Sequence, residues 1–136
     1  MCMLKINEKL IPASLTKLWE NPNPLIDFST QTITLSSDDY DYLIWFYNEG
    51  TMNTASKNKV TSQISLKGYG TILDGIGDEH ASGNNNYYIA VFRRNITRTN
   101  DTTFDIANCS YKFGTNTSWN STAGRLIPVA VYGGKF

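Results

Sequence analysis

The residues of this chain that could carry out chemistry group around its single histidine, His80. Asp74, Asp78 and Glu79 precede it, and oxygen ligands at such short spacing suit a hard cation such as Ca²⁺. The segment does not match an EF-hand loop, however, and Gly–Asp sequences are ordinary turn chemistry. We therefore expect a turn over residues 74–86 and assign no metal ligands.

A nucleophilic site is not indicated either. A cysteine–histidine pair would need Cys109 to be exposed near His80, but Cys109 lies in strand-like sequence. No carboxylate pair belongs to a recognisable motif, and no glycine-rich phosphate loop precedes a helix. The sequence predicts a protein that is not an enzyme, with no catalytic residues and no cofactor. Cys2 and Cys109 are expected to be free thiols, with Cys109 buried.

Basic residues cluster at Arg93, Arg94 and Arg98. Because side chains alternate along a strand, Arg93 and Arg94 are expected on opposite faces. Two interpretations stay open for this cluster: contacts across a subunit interface with the acidic stretch 20–49, or a solvated strand end. That stretch holds six acidic residues and no Lys or Arg, and it is itself either a solvated face or a docking surface.

Trp119 stands among Ser, Asn and Thr residues in the segment 114–124. A tryptophan in a polar loop either stacks on a sugar or fills a partner's pocket, or it folds back as a lid over the core. Lys112 and Arg125 flank the segment and would suit an anionic glycan, although each is also an ordinary solubilising charge. The three residues form the candidate contact set.

The elements that must position these residues are short strands. Strand-like segments recur between Gly, Asn, Asp and Ser clusters, which predicts a single antiparallel β-sandwich or jelly roll. A length of 136 residues fits one domain over residues 18–136, preceded by an N-terminal arm over residues 1–17. The predicted strands cover residues 31–35, 42–47, 60–66, 87–92, 102–107 and 126–132.

The alternation of apolar residues predicts the core. Segments 42–47 and 87–92 are apolar on both faces, which is typical of central strands covered on both sides. A change of apolar phase after Ala107 predicts a β-bulge near Asn108, and Gly133-Gly134 is expected to end the last strand. The predicted core residues are Trp19, Ile33, Leu35, Leu43, Trp45, Ile64, Ile89, Val91, Phe104, Ile106, Ile127, Val129 and Val131.

Composition excludes several partner classes. The 12 basic and 12 acidic residues give a formal net charge of zero, so the chain lacks the electrostatic footprint of a nucleic-acid or anionic-membrane binder. No apolar run approaches the roughly 20 residues that span a bilayer, so no membrane insertion is expected. Residues 1–15 lack the apolar region of a signal peptide, so synthesis in a cytoplasm is expected.

Two motifs at the ends of the predicted domain resemble a known family. "LWENPNP" (18–24) is followed by Phe28, Gln31, Thr32 and Leu35, and "LIPVAVYGGK" (126–135) closes the domain. With "YKFG" (111–114) after Arg93-Arg94, this pattern is similar to that of small β-domains in virion proteins of tailed bacteriophages. The resemblance covers roughly residues 18–135. Gly134 departs from it, since the pattern usually has an apolar residue there.

The resemblance implies a non-enzymatic virion structural protein on the particle surface, as a tail-fibre or baseplate component or as a capsid-decorating or head-fibre component. Its partners would be itself, as a homotrimer, and other virion proteins, with assembly in the host cytoplasm. The alternative is a receptor-binding module for host attachment, which recognises a bacterial surface glycan or protein. Trp119, Lys112 and Arg125 would then contact the host, and Arg93 and Arg94 would lie between subunits.

Overall fold

A computed structural model describes residues 15–50, 60–80, 87–114 and 118–136. These residues form β-strands and turns without any helix, so none of the described chain could cross a membrane as a helix. The all-β prediction is confirmed. The strands are β1 (Leu15–Glu20), β2 (Gln31–Thr34), β3 (Tyr42–Gly50), β4 (Val60–Leu66), β5 (Thr71–His80), β6 (Tyr87–Arg98), β7 (Thr103–Phe113), β8 (Asn120–Thr122) and β9 (Arg125–Gly134).

The strands form two antiparallel sheets that pack together as the predicted β-sandwich. One sheet has the order β1-β9-β3-β4; the other has the order β2-β7-β6-β5, with β8 beside β7. The jelly-roll variant stays a prediction. Because β1 begins at Leu15, the predicted boundary between arm and domain at residue 18 falls inside a strand. Residues 1–14 of the predicted arm, including Cys2, lie outside the described residues.

The core lies between the two sheets and is centred on Trp45, which is 1% exposed. Its indole Nε1 donates a hydrogen bond to Ser65 Oγ at 3.0 Å, and its ring meets Phe104 edge-to-face at 5.2 Å between centroids. This contact joins β3 of one sheet to β7 of the other. The predicted core residues that the structure buries are Ile33, Leu35, Leu43, Trp45, Phe104, Ile106, Ile127 and Val131.

Two predicted core residues point the other way. Ile64 is 63% exposed and Ile89 is 60% exposed. Ile64 pairs with Ile44, so it shares the outer face of the sheet while Trp45 occupies the inner face. On β6 the inner face carries Ala90 and its alternating partners, which places Ile89 outside. The prediction was wrong for two different reasons: β6 is apolar on both faces, whereas β4 turns its polar residues Gln63 and Ser65 towards the core and its apolar residues outward. Trp19, Val91 and Val129 are only half-buried.

Two β-bulges affect which residues face the core. Ala107 and Asn108 of β7 together oppose the single residue Asn95 of β6, so the bulge predicted near Asn108 is confirmed. A second register shift skips Val129 in the pairing of β9 with β3. This shift breaks the alternation over Ile127, Val129 and Val131, which the sequence pattern alone had placed on one face: Val131 pairs with Trp45, whereas Ile127 pairs with Asn48.

Three segments predicted as turns or strand ends are paired strand instead. Residues 74–80 belong to β5, which pairs along its length with β6. Residues 120–122 form β8 against β7. Gly133 and Gly134 do not end the ladder, because β9 pairs through both of them with β1 and β3. A Cβ on Gly133 would lie 2.6 Å from Leu18 Cδ1, so the glycine permits a close approach rather than a turn.

Candidate functional site

Trp119 lies against two cations on the outer face of the five-stranded sheet. The Arg93 guanidinium carbon is 4.4 Å from the centroid of the indole ring, and Lys112 Nζ is 4.9 Å from it. Both distances are within the range of a cation–π interaction. The side chain of Trp119 nevertheless remains 39% exposed. We call Trp119, Arg93 and Lys112 the Trp119 cluster.

The strand register places the Trp119 cluster. Arg93 of β6 pairs with Ser110 of β7, and Lys112 follows Ser110 by two residues, so both cations project from the same face. Trp119 directly precedes β8, whose Asn120 pairs with Tyr111 of β7. The pairing of β8 with β7 therefore brings the indole next to the two cations. The polar loop predicted around Trp119 is thus anchored to the sheet on its C-terminal side.

A row of polar side chains crosses the sheet beside the ring. Asp74 of β5 pairs with Arg93, Arg93 pairs with Ser110, and Ser110 pairs with Ser121 of β8. Paired residues on adjacent antiparallel strands share a face, with Cβ atoms about 5 Å apart. One carboxylate, one guanidinium and two hydroxyl groups therefore lie in line next to the exposed indole.

The cations of the Trp119 cluster have no carboxylate at ion-pair distance within the described part of the chain. Ion pairs elsewhere include those of Lys17 with Glu20, of Lys67 and Arg98 with Asp101, and of Lys135 with Asp39. Arg93 is exposed and Lys112 is half-buried, so both charges reach solvent. Two cations therefore lie beside the exposed indole, and Asp74, across from Arg93 on β5, is a nearby carboxylate on the same face.

Arg94 is enclosed by its own chain. The expected alternation is confirmed, since Arg93 is exposed and Arg94 is 0% exposed. Its guanidinium donates hydrogen bonds to four backbone carbonyl oxygens. The guanidinium carbon lies 5.6 Å from the centroid of the Phe28 ring. Arg94 has no surface to offer a neighbouring subunit, which corrects its inter-subunit assignment. The accepting oxygens belong to Phe28 (2.9 Å), Ala107 (2.7 Å), Ala123 (3.3 Å) and Arg125 (2.7 Å).

Burial changes the acid–base chemistry of Arg94 and of the neighbouring Cys109. Loss of solvent lowers the pKa of the Arg94 guanidinium to about 10, which still leaves it protonated at neutral pH. The same cause raises the pKa of the Cys109 thiol to about 11, against the opposing effect of the Arg94 charge. Cys109 is a free, fully buried thiol, as predicted, and it is un-ionised at neutral pH.

Arg125 is also buried, at 7% exposure, with its guanidinium carbon 4.6 Å from the centroid of Phe92. The candidate contact set of the sequence therefore separates. Trp119 and Lys112 lie together at the surface, whereas Arg125 lies in the interior and is corrected as a contact residue. Sequence reasoning missed Arg93 as the second cation beside Trp119. The alternation along β6 could have placed the Arg93 side chain on the outer face. Only the register with β7 shows that Lys112 is its neighbour.

A second surface covers the outer face of the four-stranded sheet. The strands of this sheet present apolar side chains outward, and Phe46 meets Tyr132 edge-to-face at 5.5 Å between ring centroids. Four of these side chains are strongly exposed: Leu15 (43%), Val60 (54%), Ile64 (63%) and Leu66 (53%). Together with Ile44, Phe46, Ala130 and Tyr132 we call them the outer apolar face. A groove of about 290 Å³ runs along it between Leu15, Phe46, Val60 and Tyr132.

Of the acidic side chains in the segment before His80, the structure describes that of Asp74. Asp74 is exposed on β5, and no group of three or more His, Cys, Asp or Glu side chains converges there or elsewhere among the described residues. The side chains of residues 77–80 lie outside that description.

Fold and surface together define a β-sandwich with two different outer faces: the outer apolar face, and a mixed face on which the Trp119 cluster lies beside exposed residues such as Ile76 and Ile89. No family model matches the chain, and comparison with curated proteins and with solved structures gave no match. The family resemblance of the end motifs therefore stays a prediction.

Proposed function

We propose that this chain is a non-enzymatic structural component of the surface of a tailed-bacteriophage particle, and that it assembles with copies of itself through the outer apolar face. The observation that carries the proposal is the exposure of this face. Segment 42–47 has the apolar pattern of a strand covered on both sides, yet within the described chain only its inner side is covered. Contiguous apolar surface of this kind marks an interaction site in soluble proteins.

A second copy of the chain is the occupant that the charges favour. The formal net charge is zero and only 18% of residues are charged, so two copies do not repel each other. On β1, beside the apolar side chains, Lys17 and Glu20 form an ion pair at 3.3 Å. Opposite charges at the edge of one apolar patch allow that patch to pair with itself. The family resemblance favours a homotrimer, with a dimer as the second arrangement.

The assembly is tested by the mass of the protein in solution. Light scattering at micromolar concentrations should give a mass near three times, or two times, 15.3 kDa. Ile64→Lys should shift the mass towards one chain, because it places a charge in the centre of the outer apolar face. Ile76→Lys is the matched control, since Ile76 is 72% exposed on the other sheet. A wild-type protein that stays at 15.3 kDa would contradict self-assembly.

The place on the particle is tested separately. Antibodies against the folded domain should label intact particles in electron microscopy at the tail fibre or baseplate, or at the capsid or head fibre. Particles that carry no label, although the protein is made during infection, would contradict a surface role.

A second candidate function, recognition of a bacterial surface glycan, is favoured by the Trp119 cluster. Exposed aromatic rings beside hydrogen-bonding side chains are typical of recognition surfaces. The cluster lies on the sheet opposite to the outer apolar face. Self-assembly through one face would therefore leave the other free to bind, so the two functions are compatible in one molecule.

A further inference from the structure

We infer that the Trp119 cluster binds an acidic saccharide, namely a pyranose that bears a carboxylate, with the sugar ring on the indole and the carboxylate on the two cations. This inference rests on the recognition function proposed above and names its ligand class. The cluster combines the two parts that such a ligand requires. It has an aromatic ring that is 39% exposed, and two cations 4.4 and 4.9 Å from that ring's centroid.

The aromatic part selects a sugar ring. The C–H face of a pyranose is apolar and flat, and an indole offers a large rigid surface of matching character at a low cost in conformational entropy. Trp119 is held in place by its contacts with Arg93 and Lys112 and by the adjacent pairing of β8 with β7. The surface is therefore formed before a ligand arrives, which lowers the ordering cost of binding.

The cationic part selects a carboxylate. A guanidinium presents a planar fork of donors that matches a carboxylate through two parallel hydrogen bonds, and an ammonium adds a point charge. Among the described residues no carboxylate pairs with Arg93 or Lys112, so neither cation has to give up a salt bridge when a ligand binds. Such charge-assisted bonds are stronger than neutral ones, so the acidic sugar is preferred over its neutral analogue.

The polar row beside the ring limits the ligand further. Ser110 and Ser121 offer hydroxyl groups to the sugar hydroxyls, and Asp74 accepts hydrogen bonds on the far side of Arg93. We therefore expect a sugar ring that carries a carboxylate to bind, and a polyglycerol phosphate chain, which has no sugar ring to stack on the indole, to bind less tightly.

Binding is measured by isothermal titration with three probes: trigalacturonate, the neutral trisaccharide galactotriose, and polyglycerol phosphate. Trigalacturonate should bind to the wild-type protein at least tenfold more tightly than either other probe, the difference expected from about one charge-assisted hydrogen bond. Arg93→Gln and Trp119→Ala should each weaken this binding by about tenfold or more. The control is Lys135→Gln, since Lys135 follows β9 on the other sheet, pairs with Asp39 and belongs to neither proposed surface, so this change should be neutral.

The remaining outcomes overturn the inference. Equal binding of galactotriose would show that the cations do not contribute, and equal binding of polyglycerol phosphate would show that the ring does not. No binding of trigalacturonate to the wild-type protein would remove the ligand class altogether. Trp119→Phe keeps an aromatic face and should retain part of the affinity, so it separates loss of the ring from loss of the fold. An unchanged oligomer mass in every such case would leave the proposed assembly function intact.

Discussion

At the residue scale, the buried charge of Arg94 holds separate segments of the chain together. Its guanidinium gathers carbonyl oxygens from the chain around Phe28, from the β7 bulge at Ala107 and from the segment 123–125 before and within the start of β9. These segments are distant in sequence and share no common ladder. One side chain donates to all four carbonyl oxygens, although that of Ala123 also accepts from the Phe28 N–H at 2.8 Å. The buried charge and its acceptors therefore depend on each other.

Replacing this residue tests that dependence. Arg94→Met should lower the free energy of unfolding by about 3 kcal/mol or more, because it leaves several buried carbonyl oxygens without donors. Arg98→Met is the control; Arg98 is partly exposed and pairs with Asp101 at the surface, so its loss should cost about 1 kcal/mol or less. Urea unfolding with an unchanged m-value measures both. Equal costs for the two variants would contradict the role of Arg94.

Cys109 gives the molecule an alkaline limit. Burial raises the pKa of its thiol from 9.0 to about 11, so the unfolded chain loses this proton at lower pH than the folded protein does. The stabilisation is complete below pH 9 and is lost as the pH rises towards 11. The raised pKa values of the buried Tyr40 and Tyr47 act in the same direction. Arg94, whose pKa is lowered to about 10, acts in the opposite direction above that pH.

The contribution of the thiol is therefore tested between pH 8 and pH 10. The free energy of unfolding should fall there with a slope below that of one full proton, about 1.4 kcal/mol per pH unit, because Arg94 starts to act in the opposite direction as the pH approaches 10. In Cys109→Ala the slope should flatten, even if the variant is less stable at every pH because of its cavity. Urea titrations at fixed pH measure the slope. A slope that is the same in both proteins would show that other groups cause it.

At the element scale, β9 is the strand on which the four-stranded sheet depends, since it lies between β1 and β3. Gly133 sits in its last paired stretch, where a Cβ would come within 2.6 Å of Leu18 Cδ1 and 3.0 Å of Tyr40 Cβ. Gly133→Ala should therefore destabilise the protein by about 1–3 kcal/mol through overpacking. Thr16→Ala, at the exposed residue that pairs with Gly133, should cost less. A neutral Gly133→Ala in thermal unfolding would mean that Leu18 can move aside.

The strands also show how far sequence reasoning reaches. β4 was predicted with its bounds because it combines β-branched residues, alternation and flanking turn residues. Its orientation was predicted wrongly, because an alternating pattern says that two faces differ and not which face meets the core. β5 was missed because Asp74, Gly75 and Gly77 favour turns locally, while the long pairing with β6 overrides that preference.

The candidate site divides along the same line. Trp119 and Lys112 could be singled out because an aromatic and a cation flanking a polar loop are visible in the sequence. The pairing of β6 with β7 brings Arg93 next to them, whereas Arg125 is buried away from them. Neither fact can be predicted from the local sequence. Register and burial are properties of paired strands, which is why the contact set could be predicted only in part.

At the scale of the whole molecule, the sandwich separates its two surfaces. The outer apolar face and the Trp119 cluster lie on the outer sides of different sheets, with the core between them. An apolar surface is buried by association, whereas a partly exposed ring with two cations beside it binds its ligand from solvent. The architecture therefore allows assembly on one side and recognition on the other without competition between them.

The predicted arm, residues 1–17, is expected to anchor the protein to its neighbours on the particle, and two truncations test this. Removing residues 1–14 leaves β1 complete, so the domain should still fold while incorporation into particles is lost. Removing residues 1–17 also deletes the part of β1 that pairs with Tyr132, Gly133 and Gly134 and should lower stability as well. Thermal unfolding and the content of the protein in purified particles measure the two effects. If the shorter truncation still enters particles at the normal level, the anchor lies elsewhere, and the acidic stretch 20–49 becomes the candidate.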